Sequence, residues 1–173
     1  MAADEWSEKM SARKYPPEMR RIETMLRTSA ISRTGFLGSD TRSLEEILAA
    51  DRSAAAAAGR SLGEIAQRMR EITEKAKEGM ETDVRIGEHL TAAAAHTRGM
   101  LPCPWPHKGV YGKTVTTVTR SDTGQTVRWS DLNIHMIEAH GFFEGCGADF
   151  RLNPRELISI IFHQDAPPSS TDE

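Results

Sequence analysis

Two pairs of potential metal ligands lie on either side of a segment that is rich in β-branched residues. Cys103 and His107 precede this segment, and His135 and His140 follow it. Proteins bind zinc through thiolate and imidazole groups, and four such groups in tetrahedral geometry form a closed structural site. If all four residues bind one ion, the chain between them must fold back on itself. No other feature of the sequence restricts the fold as strongly.

The segment between the two ligand pairs predicts a β-hairpin followed by a helix. Residues 114–120 and 125–129 are rich in Thr and Val, and they enclose a Ser-Asp-Thr-Gly sequence that is typical of a turn. Ser130 is a suitable N-cap for a helix that extends to His140, and Gly141 is a suitable residue to end it.

The angular positions of the two histidines around the helix axis determine whether they can bind the same ion. At about 100° per residue, His135 and His140 stand at the two edges of one arc, with apolar residues between them. A five-residue step separates two side chains widely. We therefore expect the last helical turn to tighten or unwind so that both rings converge.

The order of these elements resembles that of a C2H2-type zinc finger, in which two ligands, a hairpin and two helical histidines hold one ion. The resemblance covers residues 103–140, and it implies a zinc ion bound by Cys103, His107, His135 and His140. The second ligand is His107 instead of Cys, and 27 residues separate the ligand pairs where the family has about 12. The family's DNA-reading helix does not carry over, because this helix has an acidic start and an apolar surface.

The same residues also have an ordinary structural interpretation. In this interpretation Cys103 is an ordinary buried cysteine, which is among the most frequent core residues. The two helical histidines are compatible with hydrogen-bonded groups beside a core stripe, and His107 with an exposed side chain. A partial or different ligand set is a third interpretation, for which the candidate substitutes are Cys146, His89 and His96.

A metal-dependent hydrolase is the competing functional class. Such a site needs an open coordination position and a general base near the bound water. Glu138 and Asp131 are the carboxylates closest in sequence. Glu138 lies about 130° from the middle of the histidine arc, and the spacing matches no metalloprotease signature. We therefore predict no catalytic residue and favour a protein that is not an enzyme.

The whole chain predicts an α+β fold. We expect a flexible N-terminus over residues 1–15, a helical region over 16–80, an α+β module over 84–163 and a disordered tail over 164–173. The module is predicted to contain a small antiparallel sheet and the C-terminal helices.

The sequence of the helical region contains clear signals for the start of two helices. Ser43 and Ser61 each begin a capping box and predict helices over 43–50 and 61–78. Further along the chain, residues 92–95 favour a strand, and Pro154 opens a last apolar helix.

Charge and composition restrict the partners. The net charge is −3, and residues 1–97 and 98–163 balance to −1 and +1. Because neither part has the excess of Lys and Arg that phosphate backbones require, nucleic-acid binding is disfavoured. The two predicted helices are similar to a helix-turn-helix regulator, but the predicted connection over 51–60 is longer than the usual turn of about 3–4 residues.

The two cysteines, the acidic N-terminus and the lack of a long apolar run favour a cytoplasmic protein without a membrane span. We therefore expect an interaction or regulatory protein with a zinc-stabilised C-terminal module. Its helical region is expected to bind a protein partner or a second copy of the chain.

Overall fold

A computed structural model gives the fold of residues 16–28 and 33–163. Helices and one antiparallel sheet make up these residues, which confirms the predicted α+β class. The predicted flexible N-terminus and the predicted disordered tail lie outside the described residues. The elements in chain order are α1 Pro17–Thr28, α2 Leu44–Ala57, α3 Leu62–Lys77, β1 Val84–Arg85, β2 Leu90–Pro102, β3 Val110–Arg120, β4 Thr126–Ser130, α4 Asp131–His140 and α5 Pro154–Ile161.

The sheet has the strand order β1-β2-β3-β4, and all its pairs are antiparallel. Strands β2 and β3 form a long hairpin that begins with Leu90 paired to Arg120 and ends with Pro102 paired to Val110. A register shift interrupts β2 between Thr97 and Met100. Residues 92–95 lie in β2, as predicted.

The predicted helix starts are confirmed. Ser43 and Ser61 both form complete capping boxes, and the hydroxyl of Ser130 accepts a hydrogen bond from the amide of Asn133 at the start of α4. The predicted end of α2 at residue 50 was wrong, because the following alanine-rich run favours the helix and continues it to Ala57. The predicted long connection over 51–60 was therefore also wrong.

The larger of two hydrophobic cores, which we call the sheet core, lies where α3 and α5 pack on one face of the sheet. Trp129 of β4 is fully buried there, and its indole N–H donates to the hydroxyl of Thr73 on α3 at 3.0 Å. Thr73 is also 2.9 Å from the hydroxyl of Thr116 on β3. The predicted boundary between a helical region that ends at residue 80 and a module that begins at residue 84 stays a prediction. The sheet core contains residues from both of these regions. Its buried residues are Ala55, Ile65, Ala66, Met69, Ile72, Ala76, Leu90, Ala92, Ala94, Val118, Trp129, Ile134, Ile137, Phe143, Leu152, Leu157, Ile158, Ile160 and Ile161.

The smaller core, which we call the hairpin-tip core, lies where the end of the β2–β3 hairpin meets α1, α2 and α4. Its buried residues are Ile22, Leu26, Phe36, Leu37, Leu44, Ile47, Cys103, Leu132, Met136 and Phe142. Helix α4 separates the two cores, since Ile134 and Ile137 face the sheet core while Leu132 and Met136 face the hairpin-tip core.

Two loops that are distant in sequence close over the hairpin-tip core. The amide of Gly145 donates to the carbonyl of Phe36 at 2.8 Å, and the amide of Ser39 donates to the carbonyl of Cys146 at 3.0 Å. A Cβ at Gly145 would lie only 2.4 Å from the carbonyl oxygen of Leu37, so the close approach of the two backbones requires glycine.

Among the described residues, none of the helices is both long enough and apolar enough to span a membrane.

Candidate metal centre

The first pair of predicted ligands lies in the turn at the end of the long hairpin. Cys103 directly follows β2, and the chain reverses over residues 103–109 before β3 begins at Val110. The amide of Cys103 donates to the carbonyl of Gly109 at 3.3 Å, and the amide of His107 donates to the carbonyl of Trp105 at 2.8 Å. These backbone bonds bring both side chains to the same end of the hairpin.

The second pair lies on α4, which remains regular through His140. The amide of Gly141 donates to the carbonyl of Ile137 at 3.0 Å, and the amide of Phe142 donates to the carbonyl of Met136 at 3.1 Å. Gly141 has a φ of 65°, so the helix ends in the left-handed conformation that favours glycine.

The expected tightening or unwinding of the last helical turn was therefore wrong. The two rings lie 5.3 Å apart between centroids and almost perpendicular to each other, at 87°. The rings of His135 and His140 therefore approach each other from a regular helix.

All four predicted ligands come together at this point. Their ligand atoms lie within 4.8 Å of one another. The Nε2 atom of His107 is 3.1 Å from the Nε2 atoms of both His135 and His140, and the sulfur of Cys103 is 3.4 Å from Nε2 of His140.

Three of these six separations are close to those around a four-coordinate zinc ion. Zn–N distances of about 2.0–2.1 Å and a Zn–S distance of about 2.3 Å place neighbouring ligand atoms of a tetrahedron about 3.3–3.6 Å apart. The three separations given above are within a few tenths of an ångström of that range. Side-chain adjustments that close the remaining separations, which extend to within 4.8 Å, would let the four residues hold one metal ion.

Aromatic side chains fix the orientation of two of the imidazoles. Trp105 stacks on His140 with a centroid distance of 4.2 Å and an interplanar angle of 5°, and Tyr111 stacks on His135 at 4.0 Å and 17°. The Nδ1 atom of His107 is 3.2 Å from the carbonyl of Lys108. A hydrogen bond from Nδ1 to that carbonyl leaves Nε2 as the ligand atom.

Burial shifts the pKa of three of the four candidate ligands towards their uncharged forms. It lowers the pKa of His140 to about 4, with smaller contributions from the neighbouring His135 and His107. The pKa of His135 is also lowered, again mainly by burial. Burial raises the pKa of the Cys103 thiol. Neutral imidazoles can bind a metal directly, whereas the thiol must lose its proton, so metal binding is coupled to proton release.

The alternative ligands lie elsewhere. Cys146 is near the guanidinium of Arg42, with 3.6 Å between its sulfur and Nη2. His89 lies beside His163, and Nδ1 of His96 is 3.2 Å from the hydroxyl of Thr114. Among the residues that the structure describes, the only group that could hold a metal is the one formed by Cys103, His107, His135 and His140.

The two carboxylates considered as general bases have other partners. Glu138 forms an ion pair with Arg70 of α3 at 2.7 Å. A carboxylate oxygen of Asp131 accepts a hydrogen bond from the amide of Thr114 at 3.3 Å. Neither residue belongs to the cluster of ligands.

Trp105 and Tyr111 also belong to the site, although the ligand pattern in the sequence did not include them. Trp105 lies between the first two ligands, which was the one available signal. Tyr111 meets His135 only because β3 passes α4, and no local pattern encodes that contact.

Comparisons of the chain with protein-family models, curated proteins and solved structures found no match. The functional interpretation therefore depends on the geometry of this site.

Proposed function

We propose that Cys103, His107, His135 and His140 bind one zinc ion, and that this ion stabilises a cytoplasmic interaction or regulatory protein. The observation that carries the proposal is the convergence of one thiol and three imidazoles within 4.8 Å. Zinc suits this set because imidazole and thiolate are its usual ligands, whereas magnesium and calcium prefer oxygen.

A structural role is favoured over a hydrolytic one by the number of protein ligands. Four protein ligands complete a tetrahedral site, whereas catalytic zinc sites keep one position for water or substrate. The ion pair of Glu138 with Arg70 further weakens the hydrolase alternative, because it directs the carboxylate towards α3.

The position of the site indicates what the ion would stabilise. Two ligands come from the hairpin turn and two from α4, so the ion would cross-link these elements. Cys103 is also a buried member of the hairpin-tip core. We propose that metal binding holds the hairpin tip against α4 and thereby supports that core.

The interaction part of the proposal concerns the helical region over residues 16–80. Met25 on α1 and Met80 beyond α3 expose 52% and 85% of their surface. Methionine side chains adapt to different partner surfaces because they are unbranched and polarisable. We propose that this region binds a protein partner or a second copy of the chain.

A DNA-binding role has less support. The connection between α2 and α3 is short, as in a helix-turn-helix motif, but cations of α3 are already in ion pairs. Arg68 pairs with Glu71, Lys77 with Glu74, and Arg70 with Glu138. Paired cations contribute little to phosphate binding.

The test is the metal content of the purified protein and of four single alanine variants at the ligand positions. We expect one zinc per chain in the parent protein and its loss in each variant. Replacement of zinc by Co²⁺ should give the absorption bands of tetrahedral cobalt, with a sulfur-to-metal band that disappears in Cys103→Ser.

Cys146→Ala and His89→Ala are matched controls, because each removes a residue of the same type outside the cluster. Both should retain the metal. A parent protein that neither contains nor takes up zinc or cobalt would contradict the proposal. A cobalt spectrum with exchangeable water in the coordination sphere would favour the hydrolase instead.

A further inference from the structure

A cavity of about 330 Å³ opens on the face of the sheet opposite α3. Lys113 and Val115 of β3 line it, and they alternate along the strand with Thr116, which faces Thr73 of α3. Successive side chains of a strand point to opposite faces. The cavity is therefore separate from the sheet core, and no ligand of the candidate metal centre lines it.

The inner part of the cavity is mostly apolar. Phe36 and Leu132 are buried in its wall, and Val115 and Phe150 are half-buried. The volume lies at the lower end of the range of about 300–1,000 Å³ that is usual for small-molecule sites. The lining therefore suits an apolar group of modest size.

Two cations, Arg33 and Lys113, line the mouth of the cavity. Within residues 16–28 and 33–163, neither Arg33 nor Lys113 makes a side-chain hydrogen bond or an ion pair. Arg33 is exposed, Lys113 is half-buried, and the exposed Asp149 also lines the cavity. Two cations and one carboxylate leave a net charge of +1, which suits a monoanion better than a dianion.

Two buried polar residues, Ser130 and Glu144, also line the cavity. Glu144 is only 4% exposed, and its carboxylate accepts a hydrogen bond from the side-chain amide of Asn133 at 2.8 Å. Burial raises the pKa of Glu144 to about 7. Near neutral pH a large part of this carboxyl is therefore protonated, which lowers its repulsion of an anionic ligand.

We propose that this cavity binds a small amphipathic carboxylate. The apolar body of the ligand packs between Phe36, Val115 and Leu132, and its carboxylate pairs with Lys113 and Arg33 at the mouth. Charge-assisted hydrogen bonds of this kind are stronger than neutral ones and determine the orientation of the ligand.

Three probes of equal chain length test the proposal on the full chain: octanoate, octanamide and octylammonium. Binding is followed by chemical shifts of backbone amides during titration. We expect saturable shifts at Val115, Leu132 and Phe150 with octanoate, weaker binding of octanamide and no specific binding of octylammonium.

The double variant Arg33→Ala/Lys113→Ala should weaken octanoate binding by about tenfold or more, the effect expected from the loss of hydrogen bonds to a charged group. Arg98→Ala is the matched control, because Arg98 is an exposed cation of β2 that does not line the cavity, and it should bind octanoate as the parent does. Val115→Phe should block binding by filling the cavity.

Three results would overturn the proposal: no saturable shift with octanoate, equal binding of octanoate and octylammonium, or unchanged affinity in the double variant. Each result is independent of whether zinc is structural. Unfolding curves of the variants show whether lost binding reflects a lost fold.

Discussion

The two cores of the molecule differ in how they are supported. Among the described residues, the sheet core contains 19 that are buried, and most of them lie on helices and paired strands. Among the same residues the hairpin-tip core contains ten; helices α1, α2 and α4 supply six of them, and the connecting segments supply the other four. Small cores bury too little apolar surface to be stable alone and usually depend on a metal, a disulfide or a partner. The candidate ligands therefore lie beside the hairpin-tip core, which is the smaller core and the one that we expect to need additional support.

Two peptide bonds join the cores directly, one between Met136 and Ile137 in α4 and one between Phe142 and Phe143. Phe142 belongs to the hairpin-tip core and Phe143 to the sheet core, and both are fully buried. Arg151 holds the same segment, because its guanidinium donates to the carbonyl of Glu144 at 2.6 Å and to the buried carboxylate of Asp51 on α2. The cores are therefore different in construction but coupled in packing.

Removal of Trp129 is expected to give the largest effect and to destabilise the whole fold. Trp129→Ala leaves a cavity in the sheet core and removes the hydrogen bond to Thr73. We expect a loss of about 3–5 kcal/mol in the free energy of unfolding, measured by urea denaturation. The loss should be similar with and without zinc. A loss that requires zinc would show that the stability of the sheet core depends on the metal site.

Removal of zinc should destabilise the hairpin-tip core and leave the sheet core folded. At a free zinc concentration of about a thousand times the dissociation constant, binding contributes about 4 kcal/mol to stability. Chelation should therefore increase hydrogen exchange at residues 103–109 and in α1, while α3 stays protected. Loss of protection in α3 to the same extent would show that the two cores open together.

The pH dependence of stability should report on Glu144, which lies directly after the two phenylalanines. Its pKa is raised by burial from an ordinary value of 4.5 to about 7. Between these values the folded state binds more protons than the unfolded state, so stability falls as pH rises from about 4.5 to about 7.

This shift corresponds to about 3 kcal/mol. Urea denaturation of the parent and of Glu144→Gln over this pH range measures the effect, and the difference between the two proteins cancels the contribution of the metal ligands. The variant should gain stability relative to the parent as pH rises. A constant difference would show that the carboxyl of Glu144 has an ordinary pKa in the folded protein.

Removal of two matched helix caps, one beside each core, should give the smallest losses of stability. Ser61 caps α3 of the sheet core, and Ser43 caps α2 next to Leu44 of the hairpin-tip core. Each change to Ala should cost about 1 kcal/mol in the presence of zinc, measured by thermal unfolding. Without zinc, the cost of Ser43→Ala should decrease while that of Ser61→Ala persists.

Local sequence signals predicted the α+β class, the helix starts and the residues that meet at the candidate centre. Ser130 and Gly141 bound α4 because capping depends on neighbouring residues alone. Zinc binding itself stays a prediction. Other features depend on contacts between distant segments, such as the 2.8 Å bond from Gly145 to Phe36 that helps to close the loops over the hairpin-tip core. Periodicity and capping patterns contain no information about such contacts.

The shortness of β1 has a consequence for the behaviour of the protein at high concentration. β1 pairs only with Thr91 and Ala92, so within the described residues the later part of β2 has a strand neighbour on one side only. An exposed strand edge of this kind can recruit further chains into a growing sheet, and irregular register and a charged side chain oppose that process. The register shift after Thr97 and the exposed Arg98 lie on this edge. The molecule thus carries its own protection against aggregation where its sheet is most open.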